Sequence, residues 1–155
     1  MPKSFRKHRL VAFLFLFTLL SDQFSKLLVI KNLVLGESIN ILPFFNIVRV
    51  QNKGVTFGLL SGTLQPIVFI ILSLIVVAFL IDYARKNENY RPFIGMIIGG
   101  ALGNVIDRIV HGSVVDFLDF HLGSYHWPAF NIADSAIVMG VFVLFFISCS
   151  EGKNE

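Results

Sequence analysis

Charge is what this 155-residue chain has least of. Asp, Glu, Lys and Arg make up 15% of it, against 55% hydrophobic residues, where an average soluble domain carries about 25% charged residues. Mean hydropathy is +0.75. So few charges cannot cover the water-facing surface of a soluble fold of this size, and so much apolar residue excludes a disordered chain. Cysteine occurs once, at Cys149, which excludes an intrachain disulfide framework and a multi-cysteine metal site. Sequence pI is near 9.2, but the net charge is only +3. The basic residues fall between apolar runs instead of along one face, so the excess does not describe a nucleic-acid binder. HExxH zinc spacing, a G-x-S-x-G nucleophile elbow and a phosphate-binding glycine loop are all missing.

What is present in abundance is apolar length. A hydrocarbon core of about 30 Å needs about 20 mostly apolar helical residues, and four stretches qualify: 10–30, 64–81, 92–110 and 132–150. The expected architecture is a mostly α membrane protein, a single domain over residues 1–155. The first stretch has the basic start and apolar middle of a secretory signal. However, Ser-Asp-Gln follows Leu20 where a small-x-small cleavage site would stand, so a retained helix is expected. The Lys and Arg distribution orients the spans. With the N-terminus inside, the inner segments hold Lys3, Arg6, Lys7, Arg9, Arg85, Lys86, Arg91 and Lys153, and the outer loops only Lys31, Arg49 and Lys53. Both termini are then cytoplasmic, and the two long loops, 31–63 and 111–131, face outward. The alternating run 38–50 and the Asn52-Lys53-Gly54 turn predict short strands in the first loop, a small β-containing cradle. The second loop mixes Phe117, Phe120, Tyr125, Trp127 and Phe130 with Asp116 and Asp119, a composition suited to the headgroup zone.

Ionisable groups in a membrane helix are costly, so each one asks for a partner or a task. Asp22 lies about 18 Å into the first span at 1.5 Å per residue. Asn104 and Arg108 share one face near the outer end of the third span, with Asp107 beside them, and Asp134 stands at the outer start of the fourth. Three spans thus bring polar groups to one depth, and the second brings none. One reading is a packing cluster in which Arg108 neutralises Asp22 or Asp107. The glycines of the third span (Gly95, Gly99, Gly100, Gly103) serve close helix approach. The sharper reading pairs Asp116, just outside the third span, with Asp134. Asn131 can cap the fourth helix and set Asp134 in its first turn, where the helix dipole favours negative charge. Two nearby carboxylates share one proton, supplying a base to activate water and an acid for the leaving amine. His111, Asp116, Asp119, His121 and His126 offer a weaker metal-binding alternative. A small transporter or channel is the runner-up, because buried carboxylates also mark ion paths. A structural scaffold needs no acidic pair.

Five motifs, in order, then carry a resemblance. They are Asp22-Gln23-Phe24-Ser25-Lys26, Asn52-Lys53-Gly54-Val55-Thr56-Phe57, Gly103-Asn104-Val105-Ile106-Asp107-Arg108, Val114-Val115-Asp116-Phe117 and Phe130-Asn131-Ile132-Ala133-Asp134-Ser135. Together, on four spans, the chain resembles the lipoprotein signal peptidases, the type II signal peptidases of bacteria. Thr56 departs from the alanine usual in that family. The resemblance implies an aspartic endopeptidase of the bacterial cytoplasmic (inner) membrane. It would remove signal peptides from diacylglyceryl-modified prolipoproteins, cutting N-terminal to the lipidated cysteine. It implies Asp116 and Asp134 as the catalytic dyad. Asp22, Asn52, Gly54, Asn104, Asp107, Arg108 and Asn131 are its supporting or substrate-binding positions. It further implies membrane lipids as partners, inhibition by globomycin, and no metal, organic cofactor or nucleic acid. Within that scheme Arg108 is expected to offset the acidic cluster through a forked hydrogen bond, and Asn52 and Asn131 to bind peptide backbone or position a carboxylate.

Overall fold

Long apolar runs with no internal proline break become continuous helices, since a backbone in hydrocarbon must satisfy its own hydrogen bonds. The computed structural model describes residues 3–54 and 64–151, and contains α1 (Lys3–Asn32), α2 (Leu64–Lys86), α3 (Arg91–His111) and α4 (Ile132–Glu151). All four are long and apolar enough to cross a membrane. Their outward faces carry exposed Phe13, Phe17, Leu20, Phe79, Phe142 and Phe146. In water such faces would be a liability, but in lipid they are the solvent-facing surface. The chain is a multi-pass membrane protein.

α3 is the central helix, packed against α1, α2 and α4. Glycine makes this possible. A Cβ on Gly99 would stand 2.6 Å from the Phe15 carbonyl of α1, and one on Gly100 2.6 Å from the Ala133 carbonyl of α4. Backbones approach this closely only where side chains are absent. Tyr90 donates to Glu151 at 2.7 Å, and Lys7 donates to Asn89 at 3.3 Å, so the start of α1, the α2–α3 turn and the end of α4 meet at one end of the bundle.

At the other end lies a four-stranded antiparallel sheet in the order β1-β2-β3-β4, with β1 (Ser38–Leu42), β2 (Phe45–Asn52), β3 (Val114–Leu122) and β4 (Tyr125–His126). The first loop forms the expected strands. The second loop does more than its composition suggested: β3 pairs with β2, setting Asn52 opposite Val114 and Val50 opposite Asp116. Val115 and Phe117 are buried with Val29 of α1, and Ile47 and Ile132 pack against them. This small core seats the sheet on the ends of α1 and α4. Phe44, Phe120, Tyr125 and Trp127 remain exposed around an apolar cavity of about 370 Å³, as aromatic side chains do at a membrane–water interface. Val55, Thr56 and Phe57 of the second motif lie outside the described residues.

Candidate active site

The polar residues of three helices converge where the bundle meets the sheet, and a lysine organises them. Lys26 is 2% exposed and Asp22 0%. An ammonium has three protons to donate, and all three find acceptors: Asp22 at 2.8 Å, Asp107 at 3.0 Å and the Asn104 side-chain oxygen at 2.9 Å. Gln23 bridges the same two carboxylates, donating to Asp22 at 3.2 Å and to Asp107 at 3.1 Å. The acids also pin backbone. Asp22 accepts the Ala133 N–H at 2.9 Å, one of the donors left over at the start of α4. Asp107 accepts the Val115 N–H at 3.0 Å, fixing the start of β3 next to Asp116.

Three asparagines then face the two remaining acids. In each, an obligate donor holds the side-chain oxygen, so the NH₂ group must turn toward a carboxylate. Lys26 holds the oxygen of Asn104, whose Nδ2 donates to Asp134 at 2.8 Å. The Asp134 N–H holds the oxygen of Asn131 at 2.9 Å, and Asn131 Nδ2 donates to Asp116 at 2.7 Å. The Gly54 N–H holds the oxygen of Asn52 at 2.8 Å, and Asn52 Nδ2 donates to the other Asp116 oxygen at 2.9 Å. Gly54 has φ +103°, a conformation favouring glycine, and a Cβ there would overlap the Phe69 ring. Its place in the motif follows from that turn.

Asn131 also caps α4 as its spacing predicts. Its N–H in turn donates to Asp134 at 3.3 Å, so the two residues close a reciprocal capping box. One asparagine therefore touches both acids of the expected dyad. Asp116 is 2% exposed. Burial, reinforced by the nearby Asp134 charge, pushes its carboxyl up to about 6 despite the amides of Asn52 and Asn131. Asp116, Asn52 and Gly54 border a cleft of about 420 Å³ that Pro128 and Ala129 help to line. Asp134 borders an apolar cavity of about 370 Å³ with Trp127, Phe130 and Met139. The two acids thus border different clefts, Asp116 one that Gln51, Asn52 and Lys53 help to line and Asp134 an apolar one.

Arg108 departs from expectation. Its Nη1 donates to the Asn104 backbone oxygen at 3.2 Å, its guanidinium lies 5.2 Å from the Phe69 ring centroid, and its buried Nε has no hydrogen-bond partner among the described residues. Among the described residues it forms no fork to a carboxylate, and Lys26, not Arg108, pairs with Asp22 and Asp107. Arg108 still lies within electrostatic reach of Asp134, Asp116 and Asp107. The second span contributes Phe69 beneath this arginine. The metal alternative loses its geometry: His126 pairs with Asp119 at 2.9 Å and stacks on His121. Among the described residues no group of three or more His, Cys, Asp or Glu can hold a metal ion. Lys26 and Gln23 stand in the first motif but not among the expected supporting positions, and the structure makes both members of the site; the Asp22–Lys26 spacing of four is the signal for the lysine.

Four membrane-length helices that carry, at one end, a buried and a half-buried carboxylate held by amides define a multi-pass membrane protein with a candidate active site. Residues 14–150 match the family model described as signal peptidase (SPase) II. The lipoprotein signal peptidase of Cupriavidus taiwanensis is 44% identical over 134 residues, 83% of this chain and 76% of that protein. That of Burkholderia thailandensis is 41% identical over 136 residues, 84% and 82% of the two chains. Among solved structures, one described as a bacterial membrane enzyme, determined by the in meso method at 2.3 Å, superposes with a TM-score of 0.81. It is 32% identical, with 94% of this chain and 90% of that chain covered. A second, at 1.9 Å, gives 0.79 at 33% identity, covering 88% and 90%. The chain belongs to the signal peptidase II family, and is accordingly a peptidase.

Proposed function

We propose that this protein removes signal peptides from prolipoproteins whose cysteine already carries diacylglyceryl. It cuts on the N-terminal side of that cysteine by acid–base catalysis at Asp116 and Asp134. The observation that carries the reading is the set of three oriented asparagines, which deliver amide donors onto the oxygens of both carboxylates. Such a cradle holds two acids in place at one separation, as a shared-proton pair requires.

In this mechanism Asp116 carries the shared proton and Asp134 is ionised in the first turn of α4. Water attacks the scissile carbonyl carbon and gives a proton to Asp134, while Asp116 protonates the carbonyl oxygen. Collapse of the tetrahedral intermediate returns that proton to Asp116. The C–N bond breaks, and the amine leaves with the proton held by Asp134. The cleft beside Asp116, with Gln51, Asn52 and Lys53 on its wall, takes the peptide, and the apolar cavity beside Asp134 takes acyl chains. The Lys and Arg distribution supports an arrangement with both termini in the cytoplasm and the site near the outer surface of the bacterial inner membrane.

The test incubates purified protein with a diacylglyceryl-modified precursor and with its unmodified form, with and without globomycin. Cleavage of the modified form alone, blocked by globomycin, is expected. Ion flux in vesicles without cleavage would favour the transporter reading instead.

A further inference from the structure

The end of the bundle away from the acidic site carries a further cavity. On α1, His8 lies about 21 Å from Asp22 at 1.5 Å per residue. There α3 floors the gap between α1 and α2, whose described residues make no close backbone approach to each other. The resulting groove measures about 460 Å³. Its apolar length includes Val11, Ile81 and Ile98, its rim carries His8, Arg85 and Arg91, and no acidic side chain lines it.

The charges around this rim are unevenly spent. Asp82 pairs with Lys86 at 2.6 Å, and Glu88 pairs with Arg91 at 3.0 Å. Arg91 also donates to the Ala84 and Arg85 carbonyls, and Asn87 donates from both its backbone and its side chain to the Tyr83 carbonyl. The carbonyls of Tyr83, Ala84 and Arg85 in the last turn of α2 are therefore already served without the Arg85 side chain. Arg85 forms no ion pair among the described residues. An uncompensated guanidinium thus stands at the mouth of an apolar groove, at the end of a membrane-spanning helix.

We propose that this groove binds an anionic phospholipid, with its phosphate at Arg85 and an acyl chain along Val11, Ile81 and Ile98. Charge decides between the two occupants a membrane offers. The inner end of a signal peptide is basic and is repelled by this rim, whereas a phosphate is attracted. Basic pockets between membrane helices recur as headgroup sites. The site is independent of the proteolytic reading, because it uses none of the residues near Asp116 or Asp134.

The test is native mass spectrometry of the full chain in detergent, incubated with equal amounts of phosphatidylglycerol and phosphatidylcholine of matched chains. Preferential retention of phosphatidylglycerol is expected. Arg85→Ala should lower that retention about fivefold, the effect of one surface cation on an anionic lipid, and leave phosphatidylcholine unchanged. Ile81→Trp, made from an exposed position, should fill the groove and displace both lipids. Equal retention of the two lipids by the unaltered protein, or undiminished phosphatidylglycerol on either variant, would overturn the proposal. So would glycerol phosphate binding as tightly as the lipid, which would make the occupant a soluble phosphate.

Discussion

Replacing Lys26 by Met tests the electrostatic core of the site, since methionine keeps much of the side-chain length and removes only the charge. Lys26, Asp22 and Asp107 have side chains 2%, 0% and 4% exposed, and the ammonium sits 2.8 and 3.0 Å from the two acids. Removing one partner of a buried ion pair costs about 3–5 kcal/mol, because the charge left behind has neither water nor a counter-ion. Here two carboxylates are left behind, joined only through Gln23. Lys26→Met should therefore destabilise by about 3–5 kcal/mol in a reversible unfolding titration in mixed micelles. Adding Asp22→Asn and Asp107→Asn should recover most of that loss, since removing both signs of a buried cluster is far less costly than removing one. A second consequence separates function from stability. Without Lys26 the Asn104 oxygen keeps the longer bond from the Asn131 amide, at 3.2 Å, but loses its ammonium donor, so the NH₂ that donates to Asp134 is held less firmly. Cleavage by the folded fraction should fall in both Lys26→Met and the triple variant. A Lys26→Met protein within about 0.5 kcal/mol of the unaltered one, the range of an ordinary surface substitution, would refute the shared-ammonium argument.

Three further outcomes follow from the same geometry. Asn131→Ala removes the α4 cap, costing about 0.5–2 kcal/mol, and also an Asp116 donor. Asn131→Asp keeps an acceptor for the Asp134 N–H but sets a charge against Asp116, so in melting and turnover assays it should hold stability better than the alanine variant yet lose activity. The rate constant kcat/KM should rise and fall with pH. Asp116 is raised from 3.8 to about 6, so its stabilising contribution and the shared proton are both lost as pH rises through about 6. Activity also falls in acid when the second carboxyl takes a proton, and a flat profile from acid to neutral pH would contradict the pair. Gly103→Ala would bring a Cβ 2.5 Å from an Asp22 oxygen. Thermal unfolding should register about 1–3 kcal/mol of overpacking, and none if Asp22 moves aside freely.

Much of this was legible in the chain, for identifiable reasons. Four apolar runs, the depth shared by Asp22, Asp107 and Asp134, and the capping role of Asn131 all follow from local spacing. Lys26 stands in the first motif, but the sequence alone gives it no set of acceptors and so no role. Only the three acceptors around its ammonium reveal a buried ion. The β2–β3 ladder joins residues separated by two whole helices, and the burial of both faces at Val114–Phe117 erases the alternation that marks a half-exposed strand. A cluster of carboxylates brought to one depth by three spans invites a fork from Arg108. Its guanidinium rests instead on Phe69, from a span with no periodic signal to advertise that contact. The asparagine orientations depend on Gly54, Lys26 and a helix N–H, each from a different segment, and so emerge only from the assembled fold.

The most direct measurement of the central claim compares Asp116→Asn, Asp134→Asn and the unaltered protein, in equal membrane-inserted amounts, on a diacylglyceryl-modified precursor. Asparagine preserves size and removes only the ability to hold or release the shared proton. Complete loss of signal-peptide release by both variants, with unfolding midpoints near that of the unaltered protein, is the predicted result. Near-normal release by either variant would show that the acidic pair does not perform the chemistry.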